Sequence, residues 1–173
     1  LRIYPTVVIE GTEMKEMFDE GLYKPLSLEE AVEWTMIGYI LFKQVGTDII
    51  RMGLHASESL LYEDNMIAGP FHSAFGEMVE SRIYWYMLKE LVEEHDLQNI
   101  QIHIKANPKD FSKISGNKGE NRKKLENEYN IKYKFLEDRS LIEDIIIEHE
   151  DKSYFLNKKE FCDKMYSWIK CII

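Results

Sequence analysis

Near the start of the chain the spacing of apolar positions changes from strand-like to helical and back. Residues 2–9 (Ile3, Tyr4, Thr6, Val7, Val8 and Ile9 among them) are rich in β-branched and aromatic side chains and read as a buried strand. Pro5 removes one ladder donor, which suits an edge, a bulge or a strand start. Gly11 and Thr12 open a short helix over 12–20, with Met14, Met17 and Phe18 on one side, and Gly21 stops it. Ser27 followed by Glu30 has the form of a capping box. The helix it starts, 28–45, repeats apolar residues at Leu28, Val32, Met36, Tyr39 and Ile40. Trp34, Ile37 and Leu41 broaden its apolar surface beyond one stripe. Residues 48–54 read as a second strand. Strand, long helix, strand is a βαβ unit, which implies parallel pairing and a right-handed crossover.

Residues 55–73 show no regular period. A long helix over 74–94 turns Phe75, Met78, Val79, Ile83, Tyr86 and Leu91 inward. A strand at 99–105, a short helix at 108–114, a glycine loop, a helix at 119–129 and a strand at 131–136 follow. Residues 143–148 and 152–156 form a hairpin around Glu150 and Asp151, and Asn157 with Glu160 caps a final helix. The pattern predicts an α/β chain, α+β overall, in two parts: 1–95 and 96–173.

Composition narrows the class. Apolar residues at 45% support a real core, and charged residues at 31% argue against a membrane protein. Cys162 and Cys171 lie nine residues apart on one predicted helix, about 13 Å in rise, too far for a disulfide. They match no metal-type spacing, so core thiols in a reducing cytoplasm is the reading. The chain opens inside a strand-like run without an initiator Met, as a piece cut from a longer protein does.

Net charge is −9, unevenly placed: residues 100–139 hold ten Lys and Arg against six carboxylates, a basic stretch within an acidic chain. That stretch contains Gly116, Asn117, Lys118 and Gly119, a GxxG loop between two predicted helices. Glycines let a backbone turn tightly and let a phosphate approach closely. The N–H groups of the following helix point at the same place, and Lys118, Arg122 and Lys123 add charge. Over 99–136 the order strand, helix, GxxG, helix, strand resembles the K-homology (KH) fold, with Ile114 and Leu125 at the apolar positions flanking the loop. The resemblance implies a grip on single-stranded RNA or tRNA through Gly116, Asn117, Lys118, Gly119, Arg122 and Lys123. The alternative is a plain linker between helices in a structural or protein-interaction domain. Asp110 and Ser112 read as turn and cap residues.

The run Arg2 to Ile9, then Gly11-Thr12, then Gly21 to Pro25, resembles a segment of radical S-adenosylmethionine enzymes related to the Elongator catalytic subunit. Residues 50–55 and 68–82 resemble a bacterial branch of that family. The resemblance implies that residues 1–55 close a partial (β/α) barrel, with ligands at the C-terminal ends of its strands. Thr12, Arg51 and His55 are then the cofactor-binding candidates. The family's Cys-x3-Cys-x2-Cys motif, which holds a [4Fe–4S] cluster, is absent from this sequence. This stretch is therefore expected to hold no cofactor and to be inactive alone, while S-adenosylmethionine and a [4Fe–4S] cluster are implied for the intact enzyme. Its expected partners are the missing N-terminal half of the barrel, RNA, and a second copy of itself through the exposed edge of the 2–9 strand.

Overall fold

The computed structural model describes residues 1–54 and 65–171. They divide into two compact units, Leu1–Val79 and Glu80–Ile173.

In the first unit, β1 (Arg2–Ile3) and β3 (Arg51–Met52) form a parallel ladder, joined through α1 (Glu13–Asp19) and α2 (Leu28–Gln44). The βαβ unit is thus present. The capping box on α2 is complete: the Glu30 N–H donates to Ser27 Oγ at 3.2 Å, and the Ser27 N–H donates to the Glu30 carboxylate at 2.8 Å. Ala31, Val32, Met36 and Ile40 of α2 are buried with Val8 and Phe75.

Two expectations need correction. Residues 2–9 are not one strand: the ladder stops at Ile3, and β2 (Val8–Ile9) pairs antiparallel with β4 (Met66–Ala68), with a register shift at Val8/Ile9. Pro5, which has no N–H and a fixed φ, lies in the interruption. The stretch 55–73, read as irregular, contains β4 and the start of the turn that leads into α3 (Phe75–Glu94).

The division between units falls within α3. In the second unit, β5 (Gln101–Ala106) leads through a 3-10 turn (Pro108–Asp110) and α4 (Phe111–Ser115) to a second 3-10 turn (Asn117–Gly119). Then follow α5 (Glu120–Tyr129), β6 (Lys132–Glu137), the hairpin β7 (Ile145–His149) and β8 (Lys152–Leu156), and α6 (Lys158–Ile169). The sheet order is β6-β5-β7-β8: β5 and β6 are parallel, and the other pairs antiparallel. Alternation along β5 buries Ile102, Ile104 and Ala106 and exposes Gln101 and His103. Helices cover the buried face. Phe111 of α4 stacks on Phe135 of β6 with centroids 4.1 Å apart, and Ile83, Met87, Leu88, Leu125 and Phe161 complete the core. The mixed α/β class is as expected, and the strands of the described residues form no closed barrel.

Candidate nucleic-acid interface

The two glycines of the GxxG loop have different tasks. Gly116 is buried, with φ +80°, and a Cβ there would lie 2.8 Å from the Asn121 backbone nitrogen. Only glycine fits that approach. Gly119 has φ +73°, but a Cβ on it would meet nothing within 4 Å. Its place is a left-handed turn, shared with Lys118 at φ +51°. That leaves Lys118 exposed at the loop's tip.

Asn121 locks the loop from below. It is buried, and its side-chain amide donates to the carbonyls of Ile114 at 3.1 Å and Ser81 at 3.0 Å. One side chain thus ties α5 to α4 and α3. The first turn of α5 has no side-chain cap; the Glu120 N–H donates to the Asn117 carbonyl, and the positive end of the helix dipole lies beside Gly119.

The cations sort into two groups. Lys113 pairs with Glu80, Lys124 lies 2.5 Å from Glu120, and Arg82 reaches the same carboxylate at 3.9 Å. Those charges hold the helices together. Lys118, Arg122 and Lys123 are exposed, and among the described residues no ion pair engages them. Arg122 lies over the Tyr133 ring, 4.5 Å from its centroid. Tyr133 donates to Ser115 Oγ at 3.3 Å and meets Phe135 edge-on, so the Arg122 platform is fixed from two sides.

Of the six loop-region residues singled out from sequence, the structure brings Gly116, Asn117, Lys118 and Gly119 into one turn, with Arg122 and Lys123 on the first turns of α5. Sequence reasoning missed Asn121 and Tyr133. An Asn inside a charged helix just after a glycine loop was a usable signal for the first. Nothing in sequence pairs Arg122 with Tyr133. Asp110, read as a turn and cap residue, makes no cap bond with its side chain. It is buried, with Oδ1 3.9 Å from Lys113 Nζ and no partner for Oδ2 among the described residues. Burial also pushes the Tyr84 phenol up, with Asp110 adding to the shift.

In the first unit, Thr12 is the N-cap of α1: its hydroxyl donates to the Ile9 carbonyl at 2.6 Å and accepts from the Lys15 N–H at 3.3 Å. Arg51 is exposed on β3, in register with Arg2 on β1. His55 lies outside the described residues. Thr12 and Arg51 follow different ladders, because β2 has left the β1–β3 pair.

Residues 1–84 match the Radical_SAM C-terminal domain family. That match covers just under half of the chain, and over it the chain is similar to a radical SAM C-terminal domain. The resemblance carried by the Ile3–Ile9 run and by Gly21–Pro25 is thereby borne out. The chain is also similar to the tRNA uridine(34) acetyltransferase of Methanocaldococcus jannaschii, 39% identical over 92 residues, which are 51% of this chain and 15% of the relative. Its counterpart from Methanocaldococcus infernus is 38% identical over 93 residues, 52% of this chain and 15% of the relative. The chain therefore spans a small part of the curated relatives it matches. No solved structure matches it. Among the described residues the side chains present do not fit an iron–sulfur cluster. Cys162 is buried and Cys171 exposed on the far C-terminal helix and its end. Among the described residues no group of three or more His, Cys, Asp or Glu side chains could hold a metal.

Proposed function

We propose that this chain is the C-terminal part of a radical S-adenosylmethionine enzyme that modifies tRNA, and that its second unit grips the RNA through the GxxG loop. The match of residues 1–84 to the Radical_SAM C-terminal domain carries the reading. Two tRNA-acting relatives, and the exposed Lys118, Arg122 and Lys123 beside an α5 start that lacks a side-chain cap, support the RNA half of it.

The intact enzyme would use a [4Fe–4S] cluster and S-adenosylmethionine, held by residues that precede this chain. The contribution of the first unit is barrel wall. Tyr4, Leu26 and Trp34 are exposed and, with Pro5 and Thr35, line a depression of about 250 Å³. That surface and the open side of β1 suit the missing barrel half, or a second copy where that half is absent. Arg51 is the stronger candidate for contact with the cofactor or substrate, because the Thr12 hydroxyl is engaged in its cap. The second unit positions the RNA. No helix among the described residues is long and apolar enough to cross a membrane, and tRNA as substrate implies a cytoplasmic site.

Fluorescence anisotropy of the full chain with labelled tRNA and single-stranded RNA tests the grip. Binding at low salt is expected, weakened at least tenfold by Gly119→Asp or Lys118→Glu. The open space around Gly119 and the tolerance of Asp for left-handed backbone keep the first variant folded. Absence of binding, or equal affinity in both variants, defeats the RNA role.

A further inference from the structure

The sheet of the second unit has a second basic surface on the face its helices leave open. Alternation places Gln101, His103 and Lys105 of β5 there, and Lys132, Lys134 and Leu136 of β6. Register sets Gln101 beside Lys132 and His103 beside Lys134. These four are exposed and line a shallow depression of about 210 Å³. Lys105 pairs with Glu148 of β7 at 3.0 Å. Among the described residues no ion pair engages Lys132 or Lys134.

Strand β6 is at the edge of the sheet. Its second residue, Tyr133, points to the covered face and carries Arg122 of the loop region, while its neighbours Lys132 and Lys134 point to the open face. One edge strand therefore joins the two basic surfaces. Two lysines of like charge on one strand face repel each other weakly, and a phosphate chain crossing them relieves that repulsion while releasing counterions. His103 offers a ring and Gln101 an amide to the bases.

We infer that a single-stranded RNA segment held at the GxxG loop continues over the β6 edge onto this open face, contacting Lys132, Lys134, His103 and Gln101. The inference rests on the RNA reading above, extending the contact beyond the roughly four nucleotides a GxxG loop clamps.

Anisotropy titrations of the full chain with a four-nucleotide and a twelve-nucleotide RNA, each at several salt concentrations, separate the two surfaces. Lys132→Gln with Lys134→Gln is expected to weaken the twelve-mer about tenfold and leave the four-mer unchanged. The salt slope for the twelve-mer should fall by about 1.4, two phosphate contacts at ~0.7 each. Lysines on an edge strand also guard against strand pairing, so Lys132→Glu with Lys134→Glu, which keeps the edge charged, is the second variant. It should weaken the twelve-mer further without aggregation. Gly119→Asp should weaken both oligomers. Wild-type affinity and slope for the twelve-mer in both lysine double variants overturn the inference while leaving the loop reading intact. Loss in those variants with no effect of Gly119→Asp defeats the loop reading and, with it, the continuous path from loop to open face. No RNA binding by the unmodified chain defeats both.

Discussion

The first unit builds its ladders from strands of two or three residues, whereas in the second unit β5 and β6 alone share six paired positions. Isolated two-stranded pairs are marginal in water, and a sheet of three or more strands with one covered face is not. The first unit also leaves Leu22, Trp34, Val45 and Ile50 more than half exposed. The contrast teaches that family identity and structural self-sufficiency sit in different places. The part that matches the radical SAM C-terminal domain pairs its short strands two at a time, and the second unit closes a four-stranded sheet over its own core.

Breaking the second core should have the largest effect. Ile104 is fully buried on a central strand, so Ile104→Ala should cost about 2–5 kcal/mol, read from chemical denaturation. Hydrogen exchange checks the comparison directly, with the Ile104 and Ile147 amides far slower than those of Ile3 and Met52. Equal protection in the two units would abolish the contrast.

The loop glycines sharpen it at smaller scale. Gly119→Ala should cost about 1–2 kcal/mol, the left-handed penalty alone. Gly116→Ala should cost more, because the added Cβ also collides with the Asn121 backbone. Thermal melts of the two variants decide this, and equal losses would mean that Asn121 yields.

The thiols give the smallest effect. Burial pushes the Cys162 thiol up to about 11. A raised acid pKa means that the neutral form favours the folded state. This contribution is complete below the ordinary thiol range and is lost as pH rises through about 11. At neutral pH, alkylation should modify exposed Cys171 rapidly and Cys162 only on unfolding. Equal labelling rates in the folded chain would show that α6 is not seated on the core.

Local chemistry was legible in the residues themselves. Ser27 and Glu30 announce their helix because both partners of the box lie within one turn. Asn157 does the same for α6, its side chain accepting from the Glu160 N–H at 3.0 Å. The period of two along β5 marks its buried face. The family resemblance, too, was readable, because three closely spaced stretches between Arg2 and Pro25 carried it. Tertiary structure alone decided the rest. Where Val8 and Ile9 pair depends on Met66–Ala68, far along the chain and outside any local period. The Asn121 lock joins residues 40 positions apart. Arg122 finds Tyr133, and Lys132 finds Gln101, only when β6 docks beside β5. Sequence alone determined the helices and the strands of the second unit, because those preferences arise from neighbours in the chain; the short strands β1, β2 and β4 of the first unit were set by pairing. The sides of the edge strand that face the loop and the open sheet surface were decided by pairing at a distance.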